Sequence, residues 1–126
     1  MFFASMVDDS LTREFTTSAA LTGGAFTAVV LGENGVATAA AGDTPIGIIT
    51  AEYELPIAAN APVTVQVRGG CLWTVGEDVK PGDLLAVGAD GKAAKAASGD
   101  FVFAQAITAA TANSAAHVLI TRGGKA

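Results

Sequence analysis

Few residues in this 126-residue chain could carry chemistry: one cysteine (Cys71), one histidine (His117) and a scatter of carboxylates. A thiol beside an imidazole would make a nucleophile. Cys71, however, lies in "GGCLWTV" and His117 in "AAHVLIT", two apolar strand-like runs that no motif joins. In such a run a cysteine behaves as a small hydrophobe. A single cysteine also excludes an intrachain disulfide and any multi-cysteine metal site. Glu77, Asp78 and Asp83 could be read as an acid–base set, but they flank Pro81-Gly82 in an ordinary exposed loop. A calcium loop needs acids at alternating positions, and between Asp83 and Asp90 there are only apolar residues and glycine. "LTGGAF" and "VRGGCL" lack the Lys-Ser/Thr of a phosphate loop and read as turns. The expectation is a protein that is not an enzyme and uses no metal or cofactor.

The same residues make sense as punctuation. In "VKPGDLLAVGADGKAAKA" (79–96), Pro81 sets φ near −65° and Gly82 tolerates positive φ, so Lys80-Pro81-Gly82-Asp83 predicts a type II turn. A short apolar run follows, and then Asp90-Gly91, a strong two-residue hairpin signal. Such a loop sets Ala89 opposite Lys92 and puts Leu85, Val87, Ala94 and Ala96 on one face.

This stretch has an echo upstream. "TAVVLGENGVATAAAGDTPIGIIT" (27–50) parallels "DLLAVGADGKAAKAASGDFVFAQAIT" (83–108), with Asn34-Gly35 matching Asp90-Gly91. "VTVQVRGG" (63–70) parallels "HVLITRGG" (117–124). The pattern predicts an all-β domain over 25–126, a small barrel or β-sandwich of two similar halves, about 27–70 and 83–124. Two such halves can remove the exposed edges that a lone sheet would leave. Residues 1–24 fall outside the echo and read as an extended N-terminal arm, with an edge strand at Glu14 to Ser18. The arm holds Phe2, Phe3 and Phe15, half of the six phenylalanines. The best helix candidate is short, Ala109 to Ala115.

Half the chain is apolar, but much of that is alanine, so the core should be thin and closely packed. A net charge of −5 offers no footprint for nucleic acid. No run approaches a membrane span, and "MFFASMVDD" lacks the cationic start of a secretory signal. A soluble protein made in a cytoplasm is expected. Exposed phenylalanines near the N-terminus favour burial between chains.

Two family resemblances bear on function. "VKPGDLL" is similar to a turn in lipoyl- and biotinyl-carrier domains, but the modified lysine of those domains sits inside the hairpin tip, whereas Lys92 follows it. The longer pattern "GIIT…VTVQVRG…VKPGDLLAVGADGKAAKA…FVFAQAIT…HVLI" resembles small Gly/Ala-rich proteins of tailed bacteriophages, the capsid decoration, cement or head-fibre proteins. That resemblance implies a structural virion protein, made in the host cytoplasm, that binds the major capsid protein on the outside of the head. It also implies a homotrimer that stabilises the shell. Phe2, Phe3 and Phe15 of the arm, with Tyr53 in the loop Ala51 to Pro62, are the candidate interface residues. The turn residues Asn34, Gly35, Pro81, Gly82, Asp83, Asp90 and Gly91 are structural. A carrier domain using Lys92 and a hydrolase remain the alternatives.

Overall fold

The computed structural model describes residues 10–21, 24–50 and 57–125. Phe2, Phe3 and Tyr53 lie outside the described residues. All strand pairing between named elements is antiparallel, and the described residues contain no α-helix. The strands are β1 (Leu11–Thr16), β2 (Ala28–Gly32), β3 (Gly35–Thr38), β4 (Gly47–Ile49), β5 (Pro62–Thr74), β6 (Leu84–Val87), β7 (Ala93–Lys95), β8 (Phe101–Ala106) and β9 (Ala115–Lys125). They form one curled sheet in the order β3-β2-β4-β5-β9-β8-β6-β7, with β1 paired to β5. The order reads alike from both ends if β2, β3, β4 and β5 are set against β6, β7, β8 and β9.

β5 is long because it serves twice. Residues 62–68 pair with β1 and β4, and residues 69–74 pair with β9. The hydrogen bonds around β1 recur around the second part of β5. Thr17 N–H donates to the Ala61 carbonyl and Val75 N–H to that of Ser114, both at 2.9 Å. Leu21 and Ile57 exchange two bonds, as do Val79 and Ala110. Asn60 and Asn113 both take positive φ. Thr17 bridges Val36 in parallel, and Val75 bridges Ala93 likewise, so each half curls until its end strands touch. In these terms β1 is the counterpart of residues 69–74, and "EFTT" (14–17) answers "LWTV" (72–75). Residues 11–21 therefore belong within the first half, and the edge strand expected at Glu14 to Ser18 runs from Leu11 to Thr16.

The sequence echo is also out of step by one residue in places. Aligning "VTVQVRGG" with "HVLITRGG" sets buried Val63 against exposed His117. The strand pairing instead sets Val63 against Ala116 and Val65 against Val118, all four buried. Side chains alternate between faces, so a slip of one residue would turn the core outward. The Arg-Gly-Gly ends are consequently not equivalent: Gly69, not Arg68, matches Arg122, and both Gly69 and Arg122 have positive φ.

The two halves fill their interiors differently. The first-half core is Leu21, Val29, Val36, Ile49, Ile57, Val63 and Val65, with Phe15 and Ile46 against it. In the second half the counterparts of Phe15 and Ile46 are Trp73 and Phe103, packed edge to face at 5.5 Å. Those of Val36, Ile49 and Val63 shrink to Ala93, Ala106 and Ala116. Large and small substitutions offset one another, which keeps total volume close to constant. The second core is also shared, since Ala28, Ala39 and Ile48 of the first half pack into it. Arg122 fastens the halves further. Its guanidinium donates to the carbonyls of Pro45 (3.1 Å), Ile46 (2.6 Å) and Val67 (3.2 Å) and sits 5.0 Å from the centre of the Phe103 ring.

Both hairpin loops depart from the Asx-Gly reading. In the first, Gly32 pairs with Gly35, so Glu33-Asn34 is the loop. In the second, Gly88 N–H donates to the Lys92 carbonyl at 2.7 Å and Val87 pairs with Ala93. The loop is Ala89-Asp90-Gly91, one 3₁₀ turn with Asp90 and Gly91 at positive φ. The extra residue brings the Gly91 carbonyl to Trp73, whose indole N–H donates to it at 2.9 Å. The added residue also turns Ala93, rather than Ala94 and Ala96, into the core. Residues 109–114 are a bridge and a turn and not a helix, and Ala115 begins β9.

Candidate interaction surface

Several described carboxylates hold backbone. Asp43, Asp83 and Asp100 each close an x-x-Gly-Asp turn. In each, the Asp N–H donates to the carbonyl three residues back, and the Asp Oδ2 accepts that residue's N–H at 2.8 to 2.9 Å. Gly42, Gly82 and Gly99 supply the positive φ at the third position. Glu77 accepts from the Lys95 N–H and Asp78 from the Ala112 N–H, both at 2.9 Å. The acids weighed above as a catalytic set are thus occupied in separate places. Among the described residues no three His, Cys, Asp or Glu gather where a metal ion could sit. A cleft of about 580 Å³ is lined by Asp78, Lys80, Lys95, Thr111 and Ser114 among others, in which Asp78 accepts from the Ala112 N–H and Ser114 Oγ donates to the Thr111 carbonyl at 2.6 Å.

Cys71 and His117 do not form a dyad. Cys71 pairs with Val118 and Leu72 with His117, so the two residues stand on adjacent strands with side chains on opposite faces. Burial pushes the Cys71 thiol up to about 12. Thiolate is the reactive form, and three pH units above an ordinary thiol leave about a thousandfold less of it near neutrality. Alkylation of the folded protein at pH 8 is expected to run about a thousandfold slower than that of a free thiol and to reach the free-thiol rate in denaturant. Labelling at the free-thiol rate without denaturant would show that Cys71 is not held as described. Lys92 follows the loop tip, where Asp90 sits, and its Nζ donates to Asn113 Oδ1 at 3.0 Å. Phe15 is half-buried against the first-half core.

A different surface stands out on the second half. Leu84 pairs with Gln105, Gln105 with Leu119, and Leu119 with Gly70. Directly opposed residues share a face, so these four form one row across β6, β8, β9 and β5. Beside it lie Leu72 and His117, which pair, and Ile107, whose N–H donates to the His117 carbonyl at 2.8 Å. Leu84, Leu119 and Ile107 are 47%, 45% and 53% exposed, and the row carries no carboxylate, lysine or arginine. Alternation alone explains why Leu84 and Leu119 face outward while Leu85 and Val118 are buried. It does not explain why the outward residues are leucine.

No family model matches the chain, and no curated protein is significantly similar to it in sequence. Among solved structures, the crystal structure of the head fiber gp8.5 N base in bacteriophage phi29 matches with a TM-score of 0.61. The match covers 93% of this chain and 98% of that one, at 20% identity. The two chains share a fold. The likeness to the head-fibre base takes in both halves and their connection through β5, since it extends over nearly all of each chain. Nothing in the interface set named from sequence marked the leucine row. It could have been found by reading the outward positions of β6, β8 and β9 once their register was known.

Proposed function

We propose that this chain is a structural protein of a tailed-phage virion that sits on the outside of the head and reinforces it, as a decoration, cement or head-fibre component. The observation that carries the reading is the shared fold with the phi29 head fiber base over nearly the whole of both chains. The turn and strand motifs that resemble phage decoration proteins add to it. The protein works without catalysis or a cofactor, a reading supported by carboxylates committed to turns and by a half-buried Cys71 whose thiol pKa desolvation raises. Its partners are the major capsid protein and further copies of itself in a homotrimer, with neither nucleic acid nor membrane involved. The test is co-sedimentation with phage heads that lack their decoration protein. Saturable binding, with heads that then withstand heating or chelation better, is the expected result. Absence of binding to the heads of the phage that encodes the chain would reject the reading.

A further inference from the structure

The two halves share a backbone path, so their corresponding positions can be compared directly. In the first half the counterpart of Leu84 is Ala28, fully buried, and that of Gln105 is Ile48, 1% exposed. Both belong to the core of the second half, and the Gly91 backbone lies so close over Ala28 that a Cβ there would stand 2.6 Å from the Ala28 oxygen. Part of this outer row is thus already an interface within the chain: the first half presents Ala28 and Ile48 and the second half covers them, while Gln66 and Thr12 farther along the row are half-buried and exposed. In the second half the same row is open.

Its chemistry has changed to suit a cover. The counterparts of Leu72, Leu119 and Ile107 in the first half are Glu14, Gln66 and Thr50. The fold tolerates polar groups at those positions, so it does not itself demand the apolar ones. Charge is divided the same way. Residues 11–68 carry Arg13 and Arg68 against Glu14, Glu33, Asp43, Glu52 and Glu54, a net charge of −3. Residues 69–125 carry five basic and five acidic residues and are neutral. Two acidic chains repel one another at close range, and a contact through the neutral half keeps the acidic halves apart.

We infer that the row Leu84–Gln105–Leu119–Gly70, with Leu72, His117 and Ile107, is a self-association surface that a second copy of this chain covers, as the second half covers Ala28 and Ile48, the counterparts of Leu84 and Gln105, in the first. The inference stands on the geometry of the row and does not require a capsid.

The test uses the full chain in light scattering coupled to size exclusion over a range of concentrations, with Leu84→Glu, Leu119→Glu and, as control, Leu31→Glu. Leu31 is 54% exposed, on the first half. All three positions are open to solvent, and circular dichroism checks that each variant melts as the parent does. The parent and Leu31→Glu are expected to form a discrete oligomer. Leu84→Glu and Leu119→Glu should each weaken association about 100-fold, as expected for an uncompensated charge in a buried contact. A parent that stays monomeric at every concentration, or face variants that associate like the parent, overturn the inference. The same variants added to undecorated heads separate this from the capsid reading. Face variants that remain monomeric yet still bind heads uphold the self-association surface and leave the capsid reading intact. Variants that associate normally but no longer bind heads overturn it, because the row then faces the shell.

Discussion

Gly91→Val is expected to lower stability by about 2–6 kcal/mol, and Gly35→Val by a similar amount. Two costs add. Gly91 has φ +74° and Gly35 φ +130°, and a β-branched residue held there is strained by about 1–3 kcal/mol. A Cβ on Gly91 would also lie 2.6 Å from the Ala28 oxygen, and one on Gly35 would strike the Thr16 carbonyl oxygen. Both obstacles are backbone, so no rotamer change relieves them, and overpacking adds about 1–3 kcal/mol. At Gly91 the displaced carbonyl also loses the Trp73 indole. The comparison is Gly82→Ala, where φ is +92° but nothing stands within 4 Å. Only the conformational cost applies there, about 1 kcal/mol. Denaturant midpoints of the three variants decide the matter. Equal midpoints for Gly91→Val and Gly82→Ala would remove the close approach of the two halves at Ala28.

Deleting residues 1–20 is expected to abolish folding, with a loss of at least about 5 kcal/mol, comparable to the whole stability of a small domain. The deletion removes β1, and with it the antiparallel partner of β5 from Pro62 to Arg68. Phe15 leaves the first-half core. Thr17 is fully buried, donates from its hydroxyl to the Ala58 carbonyl at 2.7 Å and accepts from the Ala61 N–H at 3.0 Å. Its removal loses both bonds, each contributing about 0.5–1.5 kcal/mol. A detachable arm would predict the opposite outcome, a truncated protein that melts like the full chain. Thermal melts of the two chains, followed by circular dichroism, distinguish these outcomes. An unchanged melting temperature would show that the first half holds without β1.

The all-β class was legible in the sequence because its signals are local. Thr- and Val-rich runs with period two are cut by x-x-Gly-Asp and Asx-Gly pairs, and each turn needs only its own residues to form. The structural role of three carboxylates was legible for the same reason: Asp43, Asp83 and Asp100 sit at turn positions that the sequence marks, and the structure has them accepting from their own turns. A likeness between 27–50 and 83–108 was readable as well.

Register and membership were decided by tertiary packing. Val63 and Ala116 correspond because both point into a core, which a string comparison that favours Arg-Gly-Gly cannot weigh. The second hairpin gained a loop residue because the Gly91 carbonyl meets Trp73, eighteen residues away in the chain. β1 belongs to the first half because its partner is β5, some fifty residues on. Its sequence likeness to 69–74 is slight, and only hydrogen bonds reveal it. Arg122 reads as the end of a strand, yet it binds three carbonyls contributed by two distant segments. The leucine row is invisible in the chain for the same reason. Leu84, Leu119 and Leu72 come from three separate strands, and each is an ordinary apolar residue until pairing lays them side by side. Local chemistry chose the turns and the strand type, and long-range packing chose which strands meet, in which register, and which face remains uncovered.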